Sequence, residues 1–186
     1  PLPSAAAREL AALQRRRQGD IEIGFDLDSK GGTAGVSQLS DAELPVEARY
    51  PVGYRGHVFA KVDPVRVSAG TLTVASAQSA PFGTVQPKPA VVTFTPVNQL
   101  QTGADLALGY QTDDWRFDLG TTPLGFLVQD VVGGIKYSGS VGGMNLGFDL
   151  SRRPVTSSFL SYAGARDPLT GRVWGGVRSS GLDLSA

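Results

Sequence analysis

The sequence predicts an all-β body, and three observations carry that prediction. The 186 residues include 24 glycines and 12 prolines, which punctuate a chain into short segments and turns. Helical periodicity is confined to the first eighteen residues. From Asp20 onward apolar and polar residues alternate with the period of two that a strand imposes. A chain of this length buries one proper core.

The N-terminal segment reads as a helix. Ser4 suits the N-cap, Ala6, Leu10 and Leu13 recur at i, i+4 and i+7, Arg15, Arg16 and Arg17 sit where cations suit the helix dipole, and Gly19 stops it. The triple arginine fits a solvated helix end or a contact with anionic headgroups. The first strand follows, with Ile21, Ile23, Phe25 and Leu27 alternating against Glu22, Gly24, Asp26 and Asp28. Ser29–Ser40 connects it to a second strand over Glu43–Val52, and Gly53–Gly56 makes a tight hairpin. A third strand, His57–Gly70, is expected to bulge or kink at Pro64, which lacks a ladder donor.

Residues 73–99 are rich in Ala, Ser, Pro and Thr. They are expected to be mostly loop, with one short strand at Val91–Thr95, and a loop of this length is usually functional or mobile. The fourth strand, Thr102–Gln111, places Leu106, Leu108 and Tyr110 on one face. Thr112–Asp114 turns the chain into a fifth strand, where Trp115, Phe117 and Leu119 alternate with Arg116, Asp118 and Gly120. Tyr110 and Trp115 beside that turn suit a membrane interface, though soluble sheets carry such aromatics too. The sixth strand, Val132–Ser140, and the seventh, Met144–Arg152, flank Gly142–Gly143, a two-residue hairpin loop. An eighth is expected from Val173 toward the last residues. Leu146, Phe148 and Leu150 face away from Asn145, Gly147, Asp149 and Ser151. Such ribbons have one oily and one wet wall, and an ordinary antiparallel sheet with one solvated face reads the same way.

Composition excludes several functions. Seventeen basic and seventeen acidic residues cancel, so the basic excess of a nucleic-acid binder is missing. Without cysteine there are no disulfides, thiolate metal sites or thiol nucleophiles, and the redox compartment stays open. No apolar run reaches the roughly 18 residues of a membrane helix, whereas a spanning strand needs only about 9–11 alternating ones. Pro1–Ser4 lacks the features of a signal peptide, so an exported form is expected to be an internal piece of a longer chain.

Enzymatic constellations are weak. His57 is the sole histidine and no G-x-S-x-G turn supports it; a lone histidine in a strand reads as structural. Asp26/Asp28, Asp113/Asp114 and Asp149 supply carboxylates such as glycosidases pair, but they read more simply as a polar wall and a turn. Neither metal-ligand spacing nor a phosphate-cradling loop occurs. A non-enzyme without metal or cofactor is expected.

The segment Leu150–Arg178, with its elements SRRPVTSS, SYAGARDP, TG and WGGVR, closely resembles the C-terminal domain of the cellulose synthase operon protein C family. GTAGVSQLSDAELPVEARYPV (Gly32–Val52), VRVSAGTL (Val65–Leu72) and DLGTTPLGF (Asp118–Phe126) resemble the same family in the same order. The resemblance covers residues 20 to 186. It implies a periplasmic tetratricopeptide scaffold followed by an outer-membrane β-barrel, through which newly made cellulose leaves the bacterium for the biofilm matrix. Residues 1–19 would be the periplasm-facing tail of the scaffold. Residues 20–186 would be the N-terminal portion of an antiparallel up-and-down transmembrane β-barrel, an incomplete half of about eight strands, since family barrels are roughly twice that size. Long loops would face outside the cell, and no terminal aromatic of the kind that ends such barrels is present.

The implied partners are the cellulose or β-glucan chain, outer-membrane lipids, the helical scaffold and the inner-membrane cellulose synthase complex. An open half-sheet in lipid would leave backbone edges unpaired at several kcal/mol per group. This piece is therefore not expected to insert alone unless it dimerises or gains the remaining strands.

The residues then fall into a charged constellation with two readings. Asp149 and Arg153 share the wet parity, as do Arg116 and Asp118; Arg152 is adjacent, and Arg166, Asp167 and Arg172 lie in the following loop. In one reading they line a hydrated channel that hydrogen-bonds sugar hydroxyls, with Tyr162 and Trp174 stacking on sugar rings. In the other, Asp149, Arg152, Arg153 and Arg166 form a salt-bridged network holding loop 154–172 inward. The alternative to a pore is a soluble all-β carbohydrate-binding or scaffold domain, its oily strand faces packed into a sandwich core.

Overall fold

The computed structural model describes residues 4–16, 18–85 and 93–186. Helix α1 (Ala5–Arg16) starts as expected, the Ser4 hydroxyl accepting from the Ala7 N–H at 3.2 Å and so satisfying an orphan donor of the first turn. Arg17 lies outside the described residues.

The first two expected strands each form two segments: β1 (Asp20–Ile23) and β2 (Asp26–Lys30), then β3 (Leu39–Glu43) and β4 (Val46–Val52). β1 pairs with β4 and β2 with β3. The breaks face each other, and the Gly24 N–H donates to the Pro45 carbonyl at 2.8 Å. Alternation continues on both sides of the bend, so the sequence pattern hides it.

β5 (Gly56–Leu72) runs straight through Pro64, and its irregularity falls between Ser68 and Gly70. The expected bulge is thus displaced. In an antiparallel ladder a residue's N–H and C=O point at the same neighbour. The Pro64 carbonyl accepts from the Leu44 N–H at 3.1 Å, so the missing donor points at the gap between β3 and β4, where no ladder bond is lost.

The described part of 73–99 holds more than the expected loop. It contains helix α2 (Val74–Ser79), opened by a capping box between Thr73 and Ser76. The expected strand Val91–Thr95 lies partly outside the described residues, and its remainder, 93–95, is not strand. β6 (Val97–Gln111), β7 (Trp115–Thr121), β8 (Val131–Val141) and β9 (Met144–Pro154) extend the expected strands by a few residues. A second small helix, α3 (Phe159–Ala163), repeats the box with Ser158 and Ser161. Both boxes use serine at the third position where the usual sequence signal is Glu or Gln. The strand expected from Val173 is divided: β11 (Val173–Trp174) pairs with β10 (Ala165–Arg166), and β12 (Arg178–Ser185) pairs with β9.

The main sheet runs β1-β4-β5-β6-β7-β8-β9-β12, with β3 beside β5 and β2 beyond it, all antiparallel. Counting each bent pair as one strand, eight strands follow one another up and down. Short turns at Gly53–Arg55, Thr112–Asp114 and Gly142–Gly143 lie at one end, and the long connections 31–38, 73–96, 122–130 and 155–177 at the other. Among the described residues no pairing joins β12 to β1 or β2, so the sheet is open.

Register places Ala48, Ala60, Leu108, Leu119 and Gly133 on one face, and Phe59, Gly109, Asp118 and Gly134 on the other. The oily face is uncovered: Leu108, Leu119 and Leu184 are 68%, 65% and 74% exposed. The buried core lies on the opposite face at the long-loop end. There Val65, Val67 and Ala69 of β5 pack with Ala77, Phe82, Val85, Phe126, Phe159 and Ala163. The interleaved oily interior of a sandwich is not what these strands form.

Candidate functional site: a polar inner wall and its loop cap

The wet parity of the strands builds one continuous wall. Glu47 of β4 accepts from Arg49 at 2.7 Å and from Arg116 at 3.3 Å, and Arg49 reaches Glu22 at 2.8 Å and Asp20 at 3.4 Å. Arg116 also donates to Gln111 at 2.7 Å and lies 4.0 Å over the Phe59 ring. A cation–aromatic contact of this kind stabilises by about 0.5–2 kcal/mol depending on desolvation. Further along, Arg153 grips Asp118 with two hydrogen bonds of 2.6 and 2.7 Å, the fork geometry that makes guanidinium–carboxylate pairs strong. To reach Asp118 on β7 it crosses β8 at Gly134, where a Cβ would sit 2.8 Å from its Nη2. Lys61 meets Asp63 at 2.8 Å, and Asp63 faces Asp105 directly across the ladder.

Of the residues singled out in the sequence, Arg116, Asp118, Asp149 and Arg153 come together on this wall. Asp149 stands opposite Lys136 and Asp183, while Arg153 turns to Asp118. Arg152 has the outer parity and pairs with Asp130 at 2.5 Å. That hydrogen bond, with a second from the Val131 N–H, holds the Asp130 carboxyl below its ordinary range. Arg166 donates to the Gly171 carbonyl at 2.7 Å, closing the β10–β11 hairpin. Arg172 lies 5.4 Å over Trp174, whose indole is exposed. His57 is half-buried on the wall beside the Gly53–Arg55 turn. The network expected among Asp149, Arg152, Arg153 and Arg166 does not form, because strand parity sends Arg152 outward and Arg166 serves its own hairpin.

Tyr162 corrects another expectation. Its ring is buried, meets Phe126 edge-on at 5.3 Å, and its hydroxyl donates to Glu43 at 3.3 Å. No face remains for a sugar. Burial, followed by the negative charge of Glu43, pushes this phenol well above its ordinary pKa.

What holds loop 155–177 over the wall is a set of contacts the sequence does not announce. Gln101 of β6 donates to the Gly164 carbonyl and accepts from the Leu127 N–H, both at 2.6 Å, so one amide ties down two connections. Asp167, 1% exposed, accepts from the Thr84 N–H and hydroxyl at 2.9 Å and from the Leu169 and Thr170 N–H groups at 2.9 and 3.2 Å. Gly83 permits this approach: its φ is +58°, and a Cβ there would lie 2.6 Å from the carboxylate. Burial alone would raise the Asp167 pKa, but these four donors outweigh it and bring it down to about 2.

Asp167→Asn turns one acceptor into a donor facing donors and is expected to destabilise the cap by about 1–3 kcal/mol, read as faster amide exchange at Thr84 and Thr170. Because the folded pKa is depressed, the Asp167 latch is complete above the ordinary carboxylate pKa of about 3.9. It is lost as the pH falls toward about 2. Exchange protection of the cap should hold from neutral pH to about pH 4 and collapse below it; a collapse near neutrality would show that another group governs it.

Residues 37–186 match the family described as cellulose synthase operon protein C C-terminus. The chain is similar to the cellulose synthase operon protein C of Pseudomonas fluorescens, 37% identical over 97% of this chain and 14% of that protein. It is similar to the protein so named in Escherichia coli K12, 34% identical over 95% of this chain and 15% of that protein. It also resembles a cellulose synthase 2 operon protein C of Komagataeibacter xylinus, 36% identical over 93% and 13% respectively. The chain thus spans about one-seventh of the length of these curated relatives.

Proposed function

The chain belongs to the cellulose synthase operon protein C family, and from that membership we propose that residues 20–186 form part of an outer-membrane β-barrel wall, through which a β-1,4-glucan leaves the cell. The observation that carries this reading is the division of the sheet into two opposite solvents. One face is apolar and exposed from Ile21 to Leu184, and the other is charged and hydrogen-bonded. Short turns at one end and long connections at the other also suit an outer-membrane barrel. The aromatic group Trp115, Phe117 and Tyr137, with ring centroids 5.5 and 4.8 Å apart, lies near the short turns, where an interfacial girdle belongs.

Translocation in this proposal is passive. Cellulose is neutral, so long-range steering has no charge to act on. Arg49, Lys61, Arg116 and Arg153 are held in ion pairs, while Asp105, Asp149 and Asp183 add carboxylates unpaired among the described residues to the same face, so the wall offers sugar hydroxyls both donors and acceptors, much as water does. The residues with this role are Arg116, Asp118, Asp149 and Arg153. Trp174 with Arg172, and the Arg166–Asp167 hairpin, serve at the exit. The thrust comes from polymer synthesis at the inner membrane, the segment 1–19 leads back to the helical scaffold, and no catalysis is assigned to the wall.

The test is reconstitution of the full-length protein in liposomes, together with deletion of residues 20–186 in the producing cell. Ion conductance in the first and loss of secreted cellulose in the second are expected. A non-conducting protein whose deletion leaves secretion intact would sink the proposal. The soluble-domain alternative is separated by handling: a freely dissolved domain stays monodisperse without detergent, and a chain with this exposed apolar face does not.

A further inference from the structure

The inner wall is uneven, and one hollow in it has a floor and a rim of different chemistry. A row of residues crosses four strands in register, Lys61, Ala107, Gly120 and Val132, and Arg153 of β9 lines the same hollow. At one end stands the Lys61 ammonium, and at the other the Arg153 guanidinium, which folds back over Gly134 to Asp118. The middle of the row, Ala107 and Gly120, has almost no side chain. The result is a cavity of about 240 Å³, in a wall whose neighbouring positions carry long charged groups.

The rim is held before any ligand arrives. On the short-turn side Arg116 is fixed by Gln111 and Glu47 and by the Phe59 ring beneath it, and Asp118 is fixed by the Arg153 fork. On the loop side stand Asp105 and the Lys61–Asp63 pair. Donors and acceptors therefore surround a flat, weakly apolar floor, the pattern of a small preformed binding site with a few convergent polar groups.

We propose that this hollow is a discrete subsite for one glucosyl unit of a β-1,4-linked glucan, a dwelling point rather than a stretch of uniform lining. The inference rests on the pore reading above and adds a defined place and a stereochemistry. A β-linked glucosyl ring has its hydroxyls equatorial and its C–H bonds on the two flat faces. Laid on Ala107 and Gly120, it presents C–H to the floor and directs hydroxyls in its plane toward Lys61 and Asp105 on one side and Asp118 and Arg153 on the other. An α-1,4-linked chain curves and does not lie flat across the row.

The experiment is single-channel recording of the full-length protein in planar bilayers, with cellohexaose or maltohexaose added. Cellohexaose is expected to produce resolved blocking events and maltohexaose none. Ala107→Leu, which fills the hollow, should abolish the blocks, and Asp118→Asn should shorten them about tenfold, the loss of roughly one charge-assisted hydrogen bond. Ala60→Leu, on the opposite face of the neighbouring strand, should block like the wild type, and the appearance of channels reports folding for every variant. If a conducting wild type shows no block, blocks equally with maltohexaose, or keeps its block after Ala107→Leu, the subsite is wrong while the pore stands. If no channels form from the wild type, the pore reading falls and the subsite with it.

Discussion

Leu150→Arg is expected to destabilise the bilayer-embedded full-length protein by about 2–4 kcal/mol, the cost of a guanidinium near the middle of the apolar band. Leu150 lies in a row with Ile135 and Leu182 on the exposed oily face. Its neighbour Asp149 points to the polar wall, directly opposite Asp183. Asp149→Arg should therefore cost little, because it trades a like-charge pair with Asp183 for an attractive one while placing a second cation beside Lys136. Denaturant unfolding in phosphatidylcholine vesicles, followed by tryptophan fluorescence, reads both. Equal costs at the two positions would mean that neighbouring residues do not meet opposite solvents.

Phe159→Ala should have a comparable or larger effect, about 3–5 kcal/mol, because it opens a cavity in the one buried cluster of the described residues. Phe159 is 3% exposed and sits with Phe126, Phe82 and Val67. The loss is expected to be local. Amides of α2, α3 and the β10–β11 hairpin should exchange much faster, while those of β7, β8 and β9, whose ladders do not depend on the cap, keep their protection. Uniform loss of protection across the sheet would show instead that the cap is a folding requirement for the whole wall.

The hairpins at the short-turn end were legible because their signals are local. Gly142–Gly143 and Thr112–Asp114 each stand between segments of clear alternation, and alternation correctly assigned Arg116, Asp118, Asp149 and Arg153 to one wall. The bend at Gly24 and Pro45 was not legible, since alternation survives on either side of it. Helices α2 and α3 leave little trace in the sequence because each is too short for a helical stripe and its capping box has serine at the third position. Phe59 had a signal: an aromatic on the wet parity of a strand, explained by the guanidinium it carries. Gln101 had none, for it is one polar residue among several on β6, and its two partners come from connections 26 and 63 residues away.

By itself the sequence determined the family, the all-β antiparallel class, the succession of about eight strands, and which residues share a strand face. Each follows from a period of two or from a motif a few residues long. Only the tertiary structure decided that Arg153 bonds Asp118 and not Asp149, that the oily faces stay uncovered, and that the dry cluster of the described residues forms where α2, α3 and the 122–130 connection fold onto β5. Those outcomes depend on register between strands and on contacts across 83 residues, as between Thr84 and Asp167. Local periodicity holds no information about such distances, because the loops that close them obey no repeat.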